Sequence, residues 1–115
     1  MTRGDVILCN IPMPSSQLRE FKMRPAVIIS KDANNIRLED VTVAVCSSNI
    51  SRKAETTQFL IEGKEIEAAG IRVPSVVKCE TLITVNKSMV VKKLGRLSVR
   101  ARKELDACLR NALDL

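Results

Sequence analysis

The segment Arg24-Pro25-Ala26-Val27-Ile28-Ile29-Ser30 decides the fold. Its part at residues 27–30 is short and β-branched, which predicts a strand buried on both faces rather than a helix. Pro25 has no N–H and a fixed φ, so we expect it at the first position of the strand. Arg24 is then held at the strand entrance, where its planar, charged guanidinium suits a phosphate; the alternative is a strand end with Arg24 pointing into water.

Composition narrows the class of protein. A chain of 115 residues predicts a single domain, residues 1–115, and its 45% hydrophobic content argues against disorder. Nineteen Lys and Arg against 13 Asp and Glu give a formal net charge of +6, which favours an anionic nucleic acid, acidic protein or membrane without choosing among them. With two Phe and no Trp or Tyr, contact with a nucleic acid is expected through phosphates and hydrogen bonds rather than base stacking.

Residues used in common chemical sites are scarce. The chain has no histidine, which removes the commonest general base and metal ligand. The four cysteines, Cys9, Cys46, Cys79 and Cys108, form no CxxC pair, so we expect no metal site and buried free thiols in a reducing cytoplasm. No apolar run is long enough to span a bilayer, so no membrane association is expected.

The hydrophobic pattern predicts five or six short strands. Pro12 and Pro14 should end the first strand, residues 15–23 should form a polar loop, and residues 32–35 a turn or one helical turn. Another turn is expected near Gly63-Lys64, and residues 81–88 either continue the fifth strand or form a connection. The predicted strands are residues 5–11, 27–30, 41–46, 56–62, 75–80 and 90–97, with Gly95 interrupting the last.

A closing helix follows these strands. Ser98 can serve as its N-cap. Apolar residues then recur at helical spacing on one face, namely Ala101, Leu105, Cys108, Leu109, Ala112 and Leu113. The chain is therefore predicted to be mostly β with a C-terminal helix, as a small antiparallel barrel.

Six segments in order carry a family resemblance. They are residues 3–8 (RGDVIL), 24–30 (RPAVIIS) followed by Asp32, 41–48 (VTVAVCSS), 74–80 (PSVVKCE), 84–87 (TVNK) and 93–98 (KLGRLS). No one of them is specific, but in this order and spacing the chain resembles the MazF/PemK family of bacterial toxin endoribonucleases over nearly its full length. The resemblance implies an SH3-like barrel of the CcdB/MazF/PemK type with a C-terminal helix, usually a homodimer.

The resemblance also implies an activity. A toxin of a type II toxin–antitoxin system would cleave single-stranded RNA, usually mRNA, at preferred sequences without a metal or cofactor. The substrate's own 2′-OH attacks, leaving a 2′,3′-cyclic phosphate (or 3′-phosphate) and a 5′-OH. The implied partner is an acidic antitoxin whose disordered tail folds across a basic groove.

The resemblance also implies roles for individual residues, according to the positions that they occupy in the family pattern. Arg24 matches the family's catalytic arginine and is expected to stabilise the phosphorane. Ser47 falls where many members have a catalytic threonine, although a strand-end hydrogen bond would also explain it. Glu20 is the candidate base or arginine-orienting group, the alternative being a solvated loop carboxylate. RNA contacts are expected from Arg19, Lys22, Ser48, Asn49, Lys78, Thr84 and Asn86.

Two departures from the family pattern keep other functions open. Ile83 stands where many members carry an arginine, and Asn86 replaces an aspartate. A same-fold toxin that acts only by binding, such as the CcdB gyrase poisons, is one alternative, but their Trp-Gly-Ile tail is absent and the chain ends in Asp114-Leu115. A degenerate member that binds RNA or antitoxin without cleavage is the other.

Overall fold

The computed structural model describes residues 1–12, 16–17 and 19–115. Within these residues the chain forms three helices, α1 (Asp32–Arg37), α2 (Lys64–Ala69) and α3 (Val99–Leu113), with a short 3₁₀ helix at Lys87–Met89. None of the helices in the described residues is both long and apolar enough to cross a membrane. The six strands are β1 (Asp5–Pro12), β2 (Phe21–Ile28), β3 (Asp40–Ser47), β4 (Gln58–Ile61), β5 (Ser75–Asn86) and β6 (Val90–Arg96).

The strands form one antiparallel sheet, which confirms the mostly β architecture. Its order is β4-β5-β3-β2-β1-β6, so β2 and β3 lie at the centre. β4 and β6 are the edges, and over the described residues the sheet does not close into a complete barrel. The sheet instead covers two separate cores, one on each face.

Both faces of β2 are buried, as the sequence predicts. Val27 faces the core that α3 covers, whereas Ala26 and Ile28 face a second core on the other side. All three side chains have no exposed surface. Because neighbouring side chains on a strand point to opposite faces, this double burial requires an uninterrupted apolar run.

The start of β2 differs from the prediction. β2 begins at Phe21, so residues 21–23 belong to the strand and not to the loop. Pro25 lies inside the strand and not at its first position. It is tolerated because β2 pairs with β3 only from Ala26 to Ile28, which leaves β1 as the single neighbour of β2 at Pro25. Ile29 and Ser30 lie beyond the strand. The predicted strand end at Pro14 and the part of the predicted loop at residues 15 and 18 fall outside the described part of the chain.

Other elements are longer or later than predicted. β5 runs without interruption to Asn86, which settles the open connection at residues 81–88. Helix α2 follows the expected turn at Gly63 and was not predicted. Gly95 lies within β6, where a Cβ would come 2.3 Å from the carbonyl oxygen of Ala68, so this glycine permits a close approach of α2 to the sheet.

The C-terminal helix begins as predicted. The Ser98 hydroxyl accepts a hydrogen bond from the Ala101 N–H at 3.1 Å. Leu105 and Leu109 are buried against the sheet. Leu113 is an exception, because it is 51% exposed and lies off the buried face.

A buried carboxylate ties the N-terminus to β6. Asp5 is 4% exposed and accepts hydrogen bonds from the Thr2 N–H at 2.9 Å and from Arg96 at 3.0 Å, with the Lys93 ammonium 3.4 Å away. Burial raises the pKa of this carboxyl, but the hydrogen bond from Thr2 and the charges of Lys93 and Arg96 outweigh it and lower the pKa overall.

We expect Asp5→Asn to lower the free energy of unfolding by about 1–3 kcal/mol at pH 7, because it removes the charge that compensates two cations. A lowered folded-state pKa stabilises the fold above the unfolded pKa, and that stabilisation is lost as the pH falls through the folded value. The difference in the free energy of unfolding between wild type and variant should therefore shrink below about pH 4. Denaturant unfolding at a series of pH values measures this difference. Glu62→Gln, at an exposed side chain, is the control; a gap independent of pH would contradict this account.

Candidate active site

Arg24 is held where the double burial of β2 ends. It pairs with Cys9 of β1 and lies on the same face as Ala26 and Ile28. Its side chain is half-buried, and no ion pair or side-chain hydrogen bond within the described residues engages it. A half-buried guanidinium without a counter-charge is ready to accept an anion.

Two open cavities, of about 400 and 390 Å³, meet at Arg24. Arg24, Cys46 and Ser47 line both of them. Neither lining, among the described residues, includes an Asp or Glu. The junction therefore combines a cation and a hydroxyl in a carboxylate-free setting, which suits a phosphate group.

The first cavity owes its shape to a bulge in β5. Ala44 pairs with Leu82, but the next residue of β3, Val45, pairs with Lys78, so β5 carries three extra residues, 79–81. Such a bulge bends a strand and redirects its side chains. The remaining lining of this cavity is Ile11, Pro12, Val45, Lys78, Thr81, Leu82 and Ile83.

The second cavity lies on the other side of Arg24. Its floor is apolar and its rim cationic, with Arg72 and Lys92 both exposed. Ser48 also lines this cavity, and its contact with RNA stays a prediction. The apolar lining consists of Leu8, Met23, Pro25, Ile71, Val73 and Leu94.

Ser47 ends β3 in a polar turn. Its Oγ accepts a hydrogen bond from the Asn49 N–H at 3.1 Å, and Asn49 Oδ1 accepts one from the Ser51 N–H at 3.2 Å. The strand-end hydrogen bond considered from the sequence is therefore present. It uses a lone pair of the hydroxyl and leaves the O–H free to donate into the cavities. Ser47 and Asn49 also line a smaller polar cavity with Arg52 and Lys78.

Lys78 brings a second cation to the first cavity. Its charge influences Glu80, which accepts a hydrogen bond from Gln58 Nε2 at 2.7 Å. Burial raises the Glu80 pKa, but hydrogen bonds from Thr57 and Gln58 and the charge of Lys78 outweigh burial and lower it. No ion pair between Lys78 and a described carboxylate is formed.

Several predicted residues lie away from this junction. Glu20 is exposed, its N–H donates to the Ser16 hydroxyl at 3.0 Å, and it lines neither cavity; Arg19 and Lys22 are also exposed and outside the linings. Thr84 shares a hydrogen bond with Thr42 at 2.9 Å. Asn86 caps the 3₁₀ helix by accepting from the Ser88 N–H at 2.9 Å. None of these five residues lines either of the cavities that contain Arg24, although Lys22 lies two residues before Arg24 on the same face of β2.

Three of the four cysteines are buried, and Cys108 is half-buried. All four are free thiols, and burial raises the pKa of both Cys46 and Cys79 to about 12. Cys46 lines both cavities but is 2% exposed. Because the thiolate is the nucleophile, these thiols are chemically quiet at neutral pH.

The chain combines an antiparallel sheet and a C-terminal helix with a cationic junction of two cavities. The family model described as "PemK-like, MazF-like toxin of type II toxin-antitoxin system" matches residues 2–113, and the chain belongs to this family.

Named relatives agree with this assignment. Endoribonuclease MazF6 of Mycobacterium tuberculosis is 29% identical over 118 residues, covering 100% of this chain and 98% of the relative. The solved structure of the Mycobacterium tuberculosis toxin MazF-mt6 superposes with a TM-score of 0.78 at 22% identity, covering 96% of this chain and 97% of the other. An endoribonuclease in complex with its cognate antitoxin from a mycobacterial species gives a TM-score of 0.79 at 19% identity, with 100% and 96% covered. These two structures share the fold.

Sequence reasoning missed Arg72 and Lys92. Arg72 follows the unpredicted helix α2, and Lys92 is one of two adjacent lysines on an exposed strand. Nothing in their local sequence marks them, because only the packing of α2 on β6 brings them to the cavity that contains Arg24.

Iodoacetamide should leave Cys46 and Cys79 unlabelled in the folded protein at pH 8, because burial keeps them protonated. Mass spectrometry of the peptides gives the extent of labelling at each cysteine. All four should react after unfolding in guanidinium, which is the control. Rapid labelling of Cys46 in the folded protein would contradict the assignment of a protonated, buried thiol.

Proposed function

We propose that this toxin is an endoribonuclease that cleaves single-stranded RNA at preferred sequences without a metal ion. The observation that carries the proposal is Arg24, half-buried and unpaired at the junction of two carboxylate-free cavities. Membership of the toxin family and the named endoribonuclease relative support the same reaction.

The reaction needs no nucleophile from the protein. The 2′-oxygen of the nucleotide before the cut forms a bond to phosphorus, and the bond from phosphorus to the 5′-oxygen of the next nucleotide breaks. The products are a 2′,3′-cyclic phosphate and a 5′-OH, and the proton lost from the 2′-OH is balanced by one gained at the 5′-oxygen. The protein must align the groups and stabilise the dianionic phosphorane.

Arg24 is the residue best placed for phosphorane stabilisation. Its guanidinium presents two parallel N–H donors to phosphate oxygens, and partial burial strengthens that interaction relative to water. Ser47 adds a hydroxyl donor beside it, held by its hydrogen bond from Asn49. Lys78 supplies a second positive charge on one side of the phosphate.

Neither cavity lining, among the described residues, supplies a carboxylate that could accept the proton of the 2′-OH. Glu20, the candidate from the sequence, is exposed and outside both cavity linings. In our scheme the 2′-OH proton passes to solvent or to a phosphate oxygen rather than to Glu20. Glu20→Gln should accordingly cost less than ten-fold in rate.

The RNA path is proposed to run along the polar turn after β3. Ser48 and Asn49 extend from Ser47, and Lys78 flanks them. Arg19 and Lys22 are exposed on the approach to Arg24 and would contact phosphates. Thr84 and Asn86 lie further along β5, opposite Thr42 and Asp40 of β3, where they would meet RNA only beyond the nucleotides that adjoin the cut.

The partners follow from the family. We propose that an acidic antitoxin covers the cationic junction, that the toxin acts as a homodimer, and that it works in the cytoplasm. The net charge of +6 and the unpaired cations at the junction favour an acidic partner there. The four free thiols suit a reducing compartment.

Arg24→Ala should reduce the cleavage rate by at least about a hundred-fold. Arg24→Lys should reduce it nearly as much, because lysine keeps the charge but lacks the two parallel N–H donors of the guanidinium. Ser47→Ala should reduce it less than Arg24→Ala. The measurement is cleavage of a long single-stranded RNA in EDTA, with mapping of cut sites and end chemistry. Ends should carry 5′-OH groups and cyclic phosphates.

Arg37→Ala is the matched control, since Arg37 is exposed and outside both cavities. All variants should bind RNA with affinities within ten-fold of wild type. Intact RNA with wild-type protein, across many sequences and with binding retained, would overturn the nuclease and favour a toxin that acts by binding alone.

RNA and an acidic antitoxin tail should compete for the junction, because both need its unpaired cations. The measurement is fluorescence anisotropy of labelled RNA on Arg24→Lys protein, titrated with the acidic C-terminal peptide of the antitoxin encoded beside this toxin. Displacement of RNA is expected. A stable ternary complex would contradict a shared surface.

A further inference from the structure

The second cavity has a defined relation to the reacting phosphate. It shares Arg24 and Ser47 with the first cavity, so a phosphate bound at that junction has one cavity on each side. An RNA strand crossing the junction places a nucleotide on each side of the same phosphate. The cavities are therefore positioned for the two nucleotides that adjoin the cut.

We propose that the second cavity binds one of these two nucleobases and that Arg72 is the platform on which the base stacks. This rests on the proposed RNA substrate. Arg72 would then determine part of the sequence preference without acting in the chemical step.

The lining fits a nucleotide in both shape and charge. Leu8, Ile71 and Leu94 provide apolar surface beside the base, while Lys92 provides positive charge for an adjoining phosphate. No carboxylate within the described lining competes for its cations. A volume of about 390 Å³ falls in the range of small-ligand sites, about 300–1,000 Å³.

The two aromatic residues of the chain do not supply a stacking surface in this cavity. Of the two aromatic residues, Phe59 is 6% exposed in the core, and Phe21 lines neither cavity. Proteins that bind unpaired RNA bases stack them on aromatic rings or on arginine guanidinium planes. With no ring in the described lining, the planar groups there are the guanidinium groups of Arg24 and Arg72, and Arg24 is assigned to the phosphate at the junction, which leaves Arg72 for the base.

Arg72 also stands on a fixed support. α2 ends at Gly70 in a left-handed conformation with φ of 72°, and a Cβ there would come 2.0 Å from the Leu94 carbonyl oxygen. Gly95 makes the reciprocal approach to the backbone of α2. The buried carboxylate of Glu65 accepts hydrogen bonds from the N–H and hydroxyl of Ser98, which anchors α2 to the start of α3. The backbone at Arg72 is thereby held beside β6 before any ligand binds.

The test measures whether Arg72 and one base depend on each other. An eight-nucleotide RNA chosen from the cleaved sequences, or from the best-bound ones if none is cleaved, is scanned with a single abasic nucleotide at each position. Dissociation constants are measured for wild type, Arg72→Ala, Arg72→Lys and the control Arg37→Ala, with 2′-deoxy substitution preventing cleavage. Cut-site preferences of the same proteins are mapped on a random RNA pool.

We expect the abasic change at one position to weaken binding to wild type by about 5- to 150-fold, the factor typical of a stacked base. The same change should have little effect on Arg72→Ala, because the platform is already gone. Arg72→Lys should behave like Arg72→Ala toward the abasic change while keeping the salt dependence of wild type. Arg72→Ala should still cut RNA, with relaxed preference at that one position.

Other results would contradict the Arg72 platform or the proposed nuclease. Equal abasic effects on wild type and Arg72→Ala at every position would overturn the platform, as would full rescue by lysine, which would make Arg72 a phosphate contact only. Cleavage with an unchanged preference in Arg72→Ala would refute this inference and leave the nuclease standing. Coupling between Arg72 and one base without any cleavage would support this inference and refute the nuclease.

Discussion

The two-sided burial of β2 is the constraint from which the site follows. Ala26, Val27 and Ile28 are packed between two cores, so this part of the strand can shift neither along its axis nor out of the sheet. Arg24 stands two residues before this clamped segment, on the face of Ala26 and Ile28. Its backbone position is therefore fixed by apolar packing, and only its side chain reaches the cavities.

Charges are treated differently at the site and elsewhere. Away from it, Asp5 neutralises Arg96 and Lys93, and Arg3 pairs with Asp106 at 2.8 Å. At the junction Arg24 and Lys78, together with Arg72 and Lys92, form no ion pair within the described residues. Leaving cations unpaired costs stability through mutual repulsion, and an anionic ligand relieves that cost. The same balance explains why an acidic antitoxin and RNA would seek one surface.

The proposed chemistry asks little of the protein's reactive groups. Because the RNA supplies its own nucleophile, a chain without histidine and with protonated, buried thiols is adequate for it. What the protein supplies is fixed positive charge and a shaped surface, both set by strand geometry. The β5 bulge opens one cavity, and the contact of Gly70 and Gly95 between α2 and β6 builds the wall of the other.

The sequence placed Arg24 at the entrance of β2, whereas it lies inside the strand, three residues after Phe21. What the sequence by itself determined were the local features: the doubly buried strand, the Ser98 cap, the burial of Cys9, Cys46 and Cys79, and Ser47 at the end of a strand. These depend on periodicity and on single-residue chemistry, which neighbouring positions encode. It placed the start of β2 too late, because Pro25 is allowed inside a strand only where pairing with β3 has stopped, a fact of sheet register. Only the tertiary structure showed that Glu20, Thr84 and Asn86 lie outside the linings of the two cavities and that Arg72 and Lys92 lie within the lining of the second. Distances between segments far apart in the chain are set by how strands bulge and helices dock, and no spacing of residues encodes them.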